Sequence, residues 1–127
     1  MSTDISTPTQ KQHIKLAIIG SRSFKNKKYM DESLKSLQDE YIFDIVVSGG
    51  ANGADAMGEQ WANKQKIPTN IFYPDFKNRK HAYHFRNRQI VEQSDVVVAF
   101  WDGSSTGTKY TMSYAKKIGK KVVVFKY

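Results

Sequence analysis

The chain has 127 residues, with 20 Lys+Arg against 12 Asp+Glu, for a formal net charge of +8. That length fits one domain rather than two, and 39% hydrophobic with 13% aromatic residues argues against wholesale disorder. No apolar run reaches the ~18–20 residues of a bilayer span, and the absence of cysteine excludes disulfides, thiolate zinc sites and cysteine nucleophiles.

Met1–His13 is polar and contains Pro8. It reads as a flexible arm over residues 1–13, and it lacks the apolar stretch of a signal peptide. The cytoplasm is therefore the expected compartment, with no membrane partner. Ile14–Ile19 is a short apolar run ending at Gly20, the pattern of a buried strand. Met30, Leu34, Leu37 and Tyr41 fall at helical spacing and predict one amphipathic helix. Asp44–Val47 reads as a second strand, followed by a helix carrying Ala54, Met57, Trp61 and Ala62. Thr69–Tyr73 predicts a third strand, stopped by Pro74, and Ala82–Gln93 a third helix. Val96–Phe100 is the fourth strand. Thr108–Ile118 is the last helix, with Met112, Ala115 and Ile118 inward and Gly119 closing it. Lys121–Phe125 is the fifth strand.

Strand and helix alternate throughout, which predicts an α/β, Rossmann-like three-layer domain over residues 14–127 with a five-stranded parallel sheet. Strands with no polar interruption suit a sheet covered on both faces. Right-handed crossovers leave few topologies. The order 3-2-1-4-5 is favoured, with the flavodoxin-like order 2-1-3-4-5 as the alternative.

Six of the eight glycines, Gly20, Gly49, Gly50, Gly53, Gly103 and Gly107, fall between a strand's carboxyl end and the next helix. In a parallel sheet those loops share one rim, where backbone amides and helix N-termini suit an anion. The first loop supplies Gly20, Ser21 and Arg22, the last able to fork onto phosphate or carboxylate. The second supplies Ser48, Gly49, Gly50, Asn52, Gly53 and Asp55. Asn52 and Asp55 have the spacing of a capping pair, and Asp55 is equally placed to meet a ribose hydroxyl. The glycines do not follow the G-x-G-x-x-G dinucleotide fingerprint, which disfavours an ordinary NAD site. The third loop supplies Trp101, Asp102, Gly103, Ser105, Gly107 and Thr108. Its Gly107-Thr108-Lys109 is not the end of a P-loop. Trp101 could stack on a base or pack in the core. With the favoured order, the crevice lies between Gly20-Ser21-Arg22 and the Trp101–Thr108 loop.

Lys77–Arg88 holds five basic residues, His81, His84 and no acid, with Tyr83 and Phe85 interleaved. This is a basic lid, a nucleic-acid face or a solvated helix start. His81 and His84 lack an indicated third ligand, so no metal is expected. No cofactor is expected either.

Taken together, Gly20-Ser21-Arg22-Ser23-Phe24, Ser48-Gly49-Gly50-Ala51-Asn52-Gly53-Ala54-Asp55, Trp61-Ala62, Arg86-Asn87, Ser94-Asp95 and Ala99-Phe100-Trp101-Asp102-Gly103 with Ser105 and Gly107-Thr108 are distinctive. They resemble the YspA/YpsA-related branch of the SLOG superfamily, over about residues 14–125. The superfamily includes the LOG phosphoribohydrolases and the DNA-processing protein DprA. The resemblance implies a Rossmann-like fold that binds nucleotides or derivatives such as ADP-ribose or cyclic nucleotides. It also implies a homo-oligomer, with Tyr83, Phe85, Tyr110 and Tyr114 near the rim. Arg86 and Gly107-Thr108 match an arginine and a Gly-Thr pair of the LOG enzymes. The catalytic glutamate's position, however, is Thr111. A neutral hydroxyl cannot stabilise the positive charge that develops on ribose when an N-glycosidic bond breaks. The expectation is a sensor or sequestering protein for a nucleotide-derived small molecule, without catalysis, held by Arg22, Arg86, Asn87 and the three loops. The alternatives are a phosphoribohydrolase or N-glycosidase using Arg86, and a single-stranded nucleic-acid binder.

Overall fold

The computed structural model describes residues 10–78 and 81–127. The elements run β1 (Gln12–Gly20), α1 (Lys27–Leu37), β2 (Tyr41–Ser48), α2 (Ala54–Lys64), β3 (Thr69–Ile71), α3 (Ala82–Glu92), β4 (Val96–Trp101), α4 (Thr106–Lys117) and β5 (Lys121–Lys126). A single 3₁₀ turn, Phe76–Asn78, precedes α3. The five strands form one parallel sheet in the order β3-β2-β1-β4-β5. This is the favoured order, and it excludes the flavodoxin-like alternative. Among the described residues no helix is long and apolar enough to cross a membrane.

Alternation along β1 divides the core. Ile14, Leu16 and Ile18 face α1 and α2, where they meet Met30, Leu34, Trp61 and Phe100. Ala17 and Ile19 face α3 and α4, where they meet Ile90, Val91, Met112 and Ala115. With helices on both faces every central strand must be apolar on both sides, and β4 is buried from Val96 to Phe100.

Several boundaries differ from the sequence expectation. β1 begins at Gln12, so the expected arm does not extend to residue 13, and residues 1–9 lie outside the described residues. Tyr41 opens β2 rather than closing α1. The helix ends when the Gln38 and Glu40 amides turn back onto the carbonyls of Leu34 and Leu37. β3 stops at Ile71, two residues short of Tyr73. α4 starts earlier, at Thr106, and Ile118 is its exposed C-terminal cap rather than a core residue.

Candidate functional site

β1 lies between β2 and β4, so its carboxyl end is flanked by both neighbouring loops. A Cβ on Gly20 would stand 2.3 Å from the Phe100 carbonyl oxygen and 2.6 Å from the Ala54 Cβ, so only glycine allows this approach. Ser21 then joins the three loops. Its amide donates to the Phe100 carbonyl (2.9 Å), and its own carbonyl accepts from the amides of Phe24 and Ala54 (both 3.2 Å). Its hydroxyl accepts from the Asp102 amide (3.1 Å). Gly53 closes this junction from below. It has φ of +77°, and a Cβ there would lie 2.4 Å from the Arg22 carbonyl oxygen.

The rim amides are not equally free. In the β2–α2 loop the Gly50 amide donates to Glu59 (3.1 Å) and the Ala51 amide to Asp55 (3.3 Å). Glu59 also accepts from the Ser48 hydroxyl (2.8 Å). The start of α2 is likewise occupied, by the Ala54–Ser21 bond. In the β4–α4 loop, Asp102 accepts from the amides of Ser104 (2.9 Å) and Ser105 (2.8 Å). Those two bonds hold its carboxyl below the usual range. α3 begins with no side-chain cap bond and no acid in its first turn, and α4 begins the same way. Its N-cap, Ser105, makes no side-chain cap bond, and its first turn contains no acid. The leading amides of a helix have no partner within it, and nothing lies within 4 Å of where a Cβ on Gly107 would stand. A turn with unpartnered amides at a helix start has the donors and the dipole that suit an anion.

The start of α4 opens into a cavity of about 470 Å³, within the size range of small-molecule sites. Arg22 and Arg86 both line it, with their guanidinium carbons 5.9 and 5.6 Å from the Tyr83 ring centre. Arg22 is exposed at the mouth. Arg86 is buried in α3, and Nη1 donates to the carbonyls of Gly49 (2.5 Å) and Phe72 (3.4 Å) while Nε donates to Asn87 (2.8 Å). Burial lowers its pKa, with Asp55 opposing and Arg22 reinforcing that shift. Asp55, beside it in the wall, is raised from 3.8 to about 7, chiefly by loss of water. Thr111 lines the cavity and donates its hydroxyl to the Gly107 carbonyl (3.0 Å).

Of the residues singled out from sequence, Gly20, Ser21, Arg22, Asp55, Arg86, Asn87, Asp102, Ser105, Gly107 and Thr108 line this cavity together. Ser48, Gly49, Gly50, Asn52, Gly53, Trp101 and Gly103 are not part of its wall. Trp101 packs against the α3–α4 core and its indole N–H donates to the Ser105 carbonyl (3.0 Å), so it braces the loop. The Asn52–Asp55 capping pair does not form. Gly53 is the N-cap of α2, with no side-chain cap bond, and Asp55 reaches back to Ala51. The ring of His84 stacks on Tyr110 at 4.1 Å, whereas His81 meets the edge of Phe85. Among the described residues no three His, Asp or Glu side chains gather as metal ligands. Arg79 and Lys80 of the basic segment lie outside the described residues. Sequence reasoning missed Ile19, Ala51 and Ile90 in the wall, and Glu59 beneath the second loop. A glutamate one helical turn beyond Asp55 was the available signal.

Residues 14–79 match the YspA, cpYpsA-related SLOG family, YAcAr. The chain belongs to this family. It is 29% identical over 119 residues to the Gene 61 protein of Mycobacterium phage D29, covering 87% of this chain and 95% of that protein. Its fold superposes on DNA processing protein A (DprA) of Streptococcus pneumoniae with a TM-score of 0.70, at 21% identity and over 87% of this chain. The match takes in 49% of DprA, so the chain spans about half the length of that neighbour. The likeness is one of fold: a Rossmann-like parallel sheet shared by both.

Proposed function

We propose that the chain binds a phosphorylated nucleotide or nucleotide-derived ligand, of the ADP-ribose or cyclic-nucleotide class, at the carboxyl rim of its sheet. It acts as a sensor or sequestering protein without catalysis. The observation that carries this reading is the meeting of the uncapped start of α4 with Arg22 and Arg86 in one cavity. Two guanidinium groups and a turn of free amides complement phosphate oxygens. Tyr83, with both guanidinium groups over its ring, adds an exposed aromatic group at the mouth. Thr111, neutral and hydrogen-bonded to Gly107, supplies no charge to stabilise an oxocarbenium ion. Isothermal titration with AMP, ADP-ribose and cyclic nucleotides tests the reading. Micromolar binding that weakens at least tenfold in Arg22→Ala is expected. Silence from the whole series at millimolar concentration refutes it, and release of free base from a monophosphate refutes the non-catalytic part.

A second reading is binding of single-stranded nucleic acid. It rests on the exposed rings of Tyr73, Phe76, Tyr83 and Phe85 beside the basic approach to α3, and on a fold shared with a DNA processing protein. Such binding loses affinity steeply with salt as counterions are released. A gel shift absent at low ionic strength removes it.

A further inference from the structure

One wall of the cavity has the wrong sign for phosphate. Asp55 lines it at only 7% exposure. Its Oδ2 accepts from the Ala51 amide. Among the described residues the one carboxylate–cation pair within 4 Å is His13–Asp44, so Asp55 and Arg86 make no direct ion pair, although the charge of each favours the charged form of the other. Yet the two groups converge: Arg86 Nη1 and Asp55 Oδ2 each lie 2.9 Å from the point where a Cβ on Gly49 would sit. The cavity therefore carries a buried acceptor and a buried donor side by side, both anchored through backbone and neither satisfied by the other. Asp55 opens α2, which follows β2, and the uncapped turn opens α4, which follows β4, with the end of β1 between them. Above about pH 7, where Asp55 is ionised, a phosphate placed against it would face repulsion at low dielectric. A pair of neighbouring hydroxyls would not, since one can donate to the carboxylate while the other accepts from the guanidinium.

We infer that Asp55, together with Arg86, makes the site selective for ligands carrying a free ribose 2′,3′-diol, with the phosphate held at the start of α4. This rests on the nucleotide-binding reading above and adds the sugar and its orientation. Burial that makes ionisation of Asp55 unfavourable acts in the same direction, because each hydroxyl bonded to the carboxylate replaces lost water. Tyr83 is accessible at the mouth, with Arg22 and Arg86 both over its ring, and the base is left to the mouth side of the cavity.

The test is titration of AMP, 2′-deoxy-AMP and GMP into the native protein and Asp55→Asn, with inorganic phosphate as a separate probe of the α4 turn. An asparagine oxygen still accepts from Ala51, which preserves the loop, and thermal melting checks the fold. The native protein is expected to prefer AMP over 2′-deoxy-AMP by about 10- to 100-fold, the range for a hydrogen bond to a charged group. In Asp55→Asn that ratio is expected to fall towards one while affinity for 2′-deoxy-AMP and phosphate holds. Equal affinity of the native protein for the two sugars overturns the inference while leaving nucleotide binding intact, and it does so even if the variant does not fold. Equal weakening of both sugars in the variant assigns Asp55 a structural role and overturns it too. A change in the AMP-to-GMP ratio with the sugar ratio unaltered assigns the carboxyl to a base edge and likewise overturns it. Silence from every probe, phosphate included, refutes nucleotide binding itself and takes this inference with it.

Discussion

Replacing Asp55 by asparagine should alter how stability depends on pH, by an amount that follows from the carboxyl's burial. Its pKa rises from 3.8 to about 7, chiefly through desolvation. Below pH 3.8 the group is protonated in both folded and unfolded chains. Between 3.8 and about 7 the folded chain retains a proton that the unfolded chain has lost. Stability therefore falls as pH rises through this window, by up to ~1.4 kcal/mol per pH unit. The whole shift corresponds to about 4 kcal/mol. The substituted asparagine cannot titrate, and its side-chain oxygen can keep the bond from the Ala51 amide. Urea unfolding at pH 4 to 8, followed by tryptophan fluorescence, gives the free energy for each protein. Subtracting the native curve from the variant curve cancels groups common to both, such as the exposed His13–Asp44 pair. The difference should climb in the variant's favour by about 4 kcal/mol and level off above pH 7. Parallel curves would show that Asp55 ionises freely in the folded chain, and the account of a dry carboxylate wall would be wrong.

Gly53→Ala should cost about 2–4 kcal/mol in urea unfolding, because its φ of +77° is a glycine conformation and the new methyl would meet the Arg22 carbonyl. Arg86→Ala should lower stability by about 2–3 kcal/mol through the orphaned carbonyls of Gly49 and Phe72. Arg22→Ala, at the exposed mouth, should leave the melting temperature unchanged and lower only ligand affinity; equal melting losses in the two variants would contradict the division of roles. Ser21→Ala strands the Asp102 amide and should destabilise the fold by about 1–2 kcal/mol, with faster hydrogen exchange at Asp102 as its signature.

The sheet was legible because burial on both faces leaves no room for polar residues. Val96–Phe100 reads as a strand for that reason, and the strand order follows from alternation with right-handed crossovers. Element ends were less legible. Tyr41 continues the helical spacing of Leu37, and periodicity carries no information about the carbonyl-capping turn at Gln38–Glu40 that ends α1. Gly119, at φ +83°, marks the end of α4 correctly, but Ile118 beside it is turned outward by that same exit. At the site, glycine spacing revealed which loops meet. It did not reveal which of their amides are already bonded, because the acceptors, Glu59 and Asp55, lie on a helix whose rotation only the packed structure fixes.

That distinction changes what the rim can hold. Three glycine-bearing loops suggest three equivalent phosphate grips, yet the second turns two of its amides onto its own helix's carboxylates and the third turns two onto Asp102. Among the three glycine-bearing loops the free amides are at the start of α4, and the cations of the wall are Arg22, exposed, and Arg86, held by backbone carbonyls. Net charge gives no equivalent guide, since 16 of the 20 basic residues are lysines, many of them on exposed helix faces and loops away from the cavity wall. Long-range attraction from such a surface raises the encounter rate with any anion. Discrimination must come from groups held at short range in a desolvated pocket. A turn of uncapped amides on one side of β1 and a buried acid on the other give the cavity a direction, and above about pH 7 an ionised Asp55 would oppose a ligand with phosphate at both ends.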